Sequence, residues 1–228
     1  MKKLMSLMAL AMIASVVAAS AQQEVLSANA VGYVKRAVPA GKLQIVSVPF
    51  DNIASADGSY KFGDTQIAND LPQGSSVMFW DPESQVWGGG SKGAKGWNAG
   101  QANKVLNAGE AFFIKNNSDG DLEVTAAGEV PDSATLTRSY VGGSALSIAA
   151  SPYPVDVKFG DTELANQLPQ GSSVMFWDAD SQVWGGGSKG AKGWNAGQAN
   201  KVIAAGEGFF VRTSSEGAWE AVKPYTWP

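Results

Sequence analysis

The sequence predicts an all-β protein, built as two tandem small sandwich or barrel domains that each hold at most one short helical turn, behind a cleaved signal peptide. Three observations carry this prediction. Turn signals recur about every ten residues along most of the chain, which is the rhythm of short antiparallel strands. The segments between them are short and rich in β-branched and aromatic residues. Residues 61–114 also recur as residues 158–211 at a constant offset of 97, with 45 of 54 positions identical. Each repeat is long enough to own a core.

The N-terminus reads as a targeting segment. Met1-Lys2-Lys3 is a basic start, Leu4 to Ala19 is an apolar run broken only by Ser6 and Ser15, and Ala19-Ser20-Ala21 is a small-residue cleavage pattern. The expected organisation is therefore a signal peptide over 1–21, a first β-domain over 22–130 and a second over 131–228. An apolar run of this length could just span a bilayer. The cleavage pattern and the lack of basic residues just beyond it favour removal, and no later stretch reaches the length of a membrane span. The expected location is exported: periplasmic, cell-surface or extracellular.

Composition narrows the chemistry. The 228 residues include no Cys and no His, which removes thiol nucleophiles, disulfides, Cys/His zinc sites and the Ser-His-Asp triad. A net charge of -4 argues against a nucleic-acid partner. No cofactor is expected. An exported chain without disulfides takes its stability from packing.

The elements follow in order. Val31 to Pro39 and Leu43 to Phe50 read as two strands around Pro39-Ala40-Gly41, and Ala134 to Val141 and Ala145 to Ala150 are their counterparts in the second half. The boundary falls near Gly128 to Asp132. Asp64 is placed to cap one helical turn running through Asn69, and Asp161 to do so in the second copy. Ser75 to Asp81 alternates Val77 and Phe79 on one face with Met78 and Trp80 on the other. Both faces are apolar, so the strand should be buried on both sides. Asp81 to Gln85 is a turn into Val86-Trp87, Gly88 to Gly100 is a Gly-rich loop, and Ala111 to Lys115 is a strand. Asn117 to Gly120 turns into a strand that begins at Asp121.

Gly32-Tyr33-Val34, Pro39-Ala40-Gly41, and the Ala-Gly-Glu-Ala/Gly-Phe-Phe-Ile/Val runs at 108–114 and 205–211 resemble an uncharacterised family of exported bacterial tandem β-domains. In that family a Gly-Glu-Gly-Phe-Phe-Val-like strand closes each domain. The resemblance implies an extracytoplasmic β-domain and supplies no catalytic residues. The first copy departs from it at Ala111, where Gly is usual.

Trp87 and Trp97 flank a loop carrying Lys92 and Asn98, and Trp184, Trp194, Lys189 and Asn195 repeat the set. Two readings compete. The rings are platforms for a sugar, beside amides that hydrogen-bond it, or they clamp the loop onto the domain. Trp80, inside an apolar strand, reads as core. Gly88 and Gly93 have phosphate-loop separation, but Ala94 follows where Lys is required, so this is a flexible loop with Lys92 in solvent. Asp81, Glu83, Asp178 and Asp180 sit in turns, and Glu110 and Glu207 at strand entries. No pair is placed to face across a glycosidase cleft. Asn117, Asp119, Asp121 and Glu123 lack EF-hand spacing and a second copy, and read as a turn rather than a metal site. The function expected is a non-enzymatic structural, surface or matrix protein, with self-association or a cell-surface polymer as partner. The alternative is a bivalent carbohydrate-binding module.

Overall fold

The structure is a computed structural model that describes residues 30–226. The signal peptide and its cleavage point lie outside these residues. Strand accounts for 43% and short helices for 12%, so the fold is all-β with two sandwich-like halves.

In the first half β1 (Val31–Val38) pairs antiparallel with β8 (Leu122–Glu129). Strands β2 (Leu43–Ser47), β4 (Ser76–Asp81), β5 (Val86–Ser91) and β7 (Ala111–Lys115) form a sheet in the order β2-β7-β4-β5. A ribbon of β3 (Tyr60–Lys61) and β6 (Val105–Leu106) completes it. The second half repeats the plan. Its outer pair is β9 (Thr135–Tyr140) with β16 (Gly217–Val222), and its ribbon is β11 (Val157–Lys158) with β14 (Val202–Ile203). Its sheet runs β10-β15-β12-β13, from β10 (Leu146–Ala150), β12 (Ser173–Asp178), β13 (Val183–Ser188) and β15 (Gly208–Arg212). The Phe-Phe strands β7 and β15 are thus interior strands, and β8 and β16 follow them.

Each half has its own core. Phe62 meets Phe79 and Phe112 at 5.3 and 5.6 Å, and Phe159 meets Phe176 and Phe209 at 5.4 and 5.6 Å. These edge-to-face contacts add to the area the rings bury. A third apolar cluster lies between the halves, built on Ile45, Ala111, Phe113, Ala150 and Phe210. The alternation in β4 now has its reason. Val77 and Phe79 face their own core, while Met78 and Trp80 face this third cluster.

Three local expectations change. The helix α1 (Gln66–Asp70) is capped by Thr65 rather than Asp64, because Asp64 lies inside a 3-10 turn over Phe62–Asp64. The extended Thr65 accepts from the Ala68 N–H through Oγ1 at 3.1 Å. In the second half Thr162, not Asp161, caps α3 (Glu163–Gln167) in the same way. Each half also gains a second helix, α2 (Ala99–Ala102) and α4 (Ala196–Ala199), because Asn98 and Asn195 act as caps. Finally, Gly88 to Ser91 is strand, not loop. Gly89 has φ 141, and a Cβ there would overlap the Val77 carbonyl, so only glycine lets β5 lie this close to β4.

Candidate functional site

The strands place the two tryptophans of each hairpin and its loop on different faces. Trp80 and Trp87 are cross-strand partners on the face between the halves, with ring centroids 5.0 Å apart. Trp97 packs edge-on against Phe62 of the domain core at 5.0 Å, and its indole N–H donates to the Ala68 carbonyl at 3.0 Å. Trp184 and Trp194 repeat this division: one joins Trp177 at 5.0 Å, the other Phe159 at 5.0 Å and the Ala165 carbonyl at 2.9 Å. Trp87 and Trp97 are therefore not brought together, and neither are Trp184 and Trp194. Trp87 and Trp184 remain 45% and 41% exposed at the margin of the interface.

The polar residues of the loop are engaged as well. Lys92 is not a solvated loop residue. Its ammonium donates to the carbonyls of Ala68, Asn69 and Leu71 at 2.9, 3.3 and 2.6 Å, at the C-terminal end of α1, where cations are favoured. Lys189 does the same with Ala165, Asn166 and Leu168. Asn98 Oδ1 accepts from Gly100 and Gln101, and Asn195 Oδ1 from Gln198.

The seam between the halves is reciprocal. The Trp80 indole N–H donates to the Leu146 carbonyl at 2.8 Å, and that of Trp177 to the Leu43 carbonyl at 3.0 Å. Gln85 grips the Leu146 backbone with both ends of its amide, donating at 3.0 Å and accepting at 2.8 Å. Gln182 grips Leu43 at 3.0 and 2.9 Å. Both glutamines sit in the left-handed region, at φ 55 and 58, a cost of about 1–2 kcal/mol each for a residue with a Cβ. Backbone bonds run both ways too, from Ser47 to Gly206 at 2.9 Å and from Ala150 to Gly109 at 3.1 Å. At the centre, a Cβ on Gly208 would overlap the Ala111 methyl.

Charges follow the same relation. Arg36 reaches Glu207 at 3.6 Å across the seam, and Glu207 also meets Lys201 at 3.7 Å. On the other side the Arg138 Nε–H donates to the Ala108 carbonyl, and burial lowers the pKa of its guanidinium while Glu110 raises it.

The carboxylates singled out in the sequence serve turns and strand pairing. The Ser84 hydroxyl and the Ser84 and Glu83 N–H groups hold Asp81 below the usual carboxylate range. The Ser181 N–H and hydroxyl do this for Asp178. Asp121 accepts from the Ala40 N–H at 2.8 Å and Glu123 pairs with Lys35 at 2.6 Å. Among the described residues no group of carboxylates could hold a metal ion, and no helix is long and apolar enough to cross a membrane.

Fold and seam together define the class: an all-β chain whose duplicated halves are docked through their sheets. Compared with protein-family models, curated proteins and solved structures, the chain gives no match. Sequence reasoning missed Gln85, Gln182 and the Ala111–Gly208 contact. The one available signal was the apolar second face of β4, which requires a partner. A glutamine in a turn carries no such signal.

Proposed function

We propose that the chain is an exported, non-enzymatic building block of a bacterial surface or matrix, its two β-domains acting as one unit. The observation that supports this most is where the tryptophan and loop polar groups are spent. Trp80 and Trp177 join the halves, Trp97 and Trp194 anchor loops, and the two lysines cap helices. Fractionating the producing cells and sequencing the N-terminus tests the reading. Protein starting at Gln22 in the extracytoplasmic fraction is expected, and cytoplasmic protein that retains Met1 would overturn it.

A second reading, bivalent carbohydrate binding, draws on the partial exposure of Trp87 and Trp184. It predicts that polysaccharide quenches tryptophan fluorescence, and that replacing both rings by Ala abolishes the quench whereas replacing one only weakens avidity.

A further inference from the structure

The halves differ most beside the β3 and β11 ribbons. Twelve residues, 48–59, join β2 to β3, but only six, 151–156, join β10 to β11. Tyr60 corresponds, at the offset of 97, to Val157. The Tyr60 ring packs on the first core, and its hydroxyl donates to the carbonyls of Asp51 and Ala127 at 3.2 and 3.0 Å. The outer ladders align Arg36 with Arg138, so Ala127 corresponds to Val222. In the second half both Val157 and Val222 line a cavity of about 410 Å³, floored by Tyr153, Leu164, Phe209 and Trp219. The cavity thus reaches from the counterpart of Tyr60 to the counterpart of Ala127, one of the two residues whose carbonyls the Tyr60 hydroxyl meets.

We propose that this cavity binds a small phenolic amine, its ring taking the place that Tyr60 fills in the other half. The volume is that of a ligand pocket and suits one ring with a short tail. Val222 lines the cavity at the ladder position of Ala127, whose carbonyl accepts the Tyr60 hydroxyl. The charge of the tail follows from the rim, where Asp156, Asp161 and Glu163 outnumber Lys158. A cationic tail is attracted there and a carboxylate repelled. Asp156 also accepts from the Ala205 N–H at 2.8 Å, which fixes one wall of the entrance.

Tyramine is the probe, added to the full chain, with phenol and 4-hydroxyphenylacetate as comparisons. Calorimetry should give one tyramine site per chain, with NMR shifts at the Trp219 indole and the Leu164 methyls. Phenol should bind more weakly than tyramine and the anion not at all. Val157→Tyr, which copies the first half into the second, should weaken tyramine by more than about tenfold without lowering the melting temperature. Should that variant fold poorly, the wild-type shift map decides by itself. Perturbation confined to residues away from Trp219, no binding at millimolar tyramine, equal binding of the anion, or unchanged affinity in a folded Val157→Tyr would each overturn the proposal.

Discussion

The first and second halves carry almost the same strands, yet they are not interchangeable. Over the shared block, two substitutions inside the cores offset each other: Ile67 and Leu106 in the first half become Leu164 and Ile203 in the second, so the pair keeps one Leu and one Ile, whereas Ile114 to Val211 leaves the second core one methylene smaller. Substitutions where a half meets something else are not compensated internally. Ala111 faces Gly208 across the seam. Asp70, which accepts from the Thr125 N–H at 2.7 Å and so ties α1 to β8, becomes Gln167. The shared residues build two similar cores, and Ala111/Gly208 and Asp70/Gln167 differ where each half meets something outside its own repeat.

The strongest way to probe this comparison is to empty the cores. Phe79→Ala and Phe176→Ala remove rings buried in equivalent settings and should each cost about 3–5 kcal/mol, measured by denaturant unfolding. A large inequality between them would show that the cores are not equivalent. Next comes the seam. Gly208→Ala should destabilise by about 1–3 kcal/mol through overpacking, Ala111→Gly by less, and the exchanged pair Ala111→Gly/Gly208→Ala should recover most of the loss. If the double variant is merely the sum of its singles, the contact does not set the fit. Lys92→Ala and Lys189→Ala should each cost about 1 kcal/mol, since three carbonyls at a helix end lose a charged donor, and calorimetric melting would reveal it.

The smallest effect is one of pH and belongs to the first half alone. Asp57 lies in the longer loop, where the Ser55 and then the Ser59 hydroxyl, with the Ser59 N–H, lower its pKa to about 2. A depressed carboxylate stabilises the folded state above its unfolded value of about 4, and that contribution is lost as pH falls through about 2. An NMR titration of its side chain should show a midpoint near 2, and Asp57→Asn should remove that step.

Much of this arrangement was legible in the residues. The β-branched runs from Val31 to Pro39 and from Leu43 to Phe50, the alternation of Val77 and Phe79 with Met78 and Trp80, and the Pro and Gly turns place the strands, although the second ends at Ser47. The helical turn was found with the wrong cap, because Asp64 and Thr65 are both good caps and only the preceding 3-10 turn decides between them. Glycine-rich β5 was hidden, because Gly88 to Gly90 have the composition of a loop and are strand only by virtue of the close approach to β4. The seam stayed out of reach for a different reason. Its hydrogen bonds join residues 66 and 134 apart, and no local pattern reports a contact at that separation.

The glycine at 208 also bears on the order in which the chain is made. Synthesis proceeds from the N-terminus, and domains form as they emerge. The first half is thus complete while its docking face, with Ile45, Trp80 and Phe113, still has no second half to cover it. The nearest face of matching shape then belongs to the first half of a neighbouring chain. In that pairing the Ala111 methyl would meet another Ala111 methyl, at a centre where a Cβ on Gly208 already overlaps it. Pairing of two first halves is disfavoured there by the same overpacking, about 1–3 kcal/mol, that Gly208→Ala would introduce, and the glycine-bearing half of the same chain is the better fit.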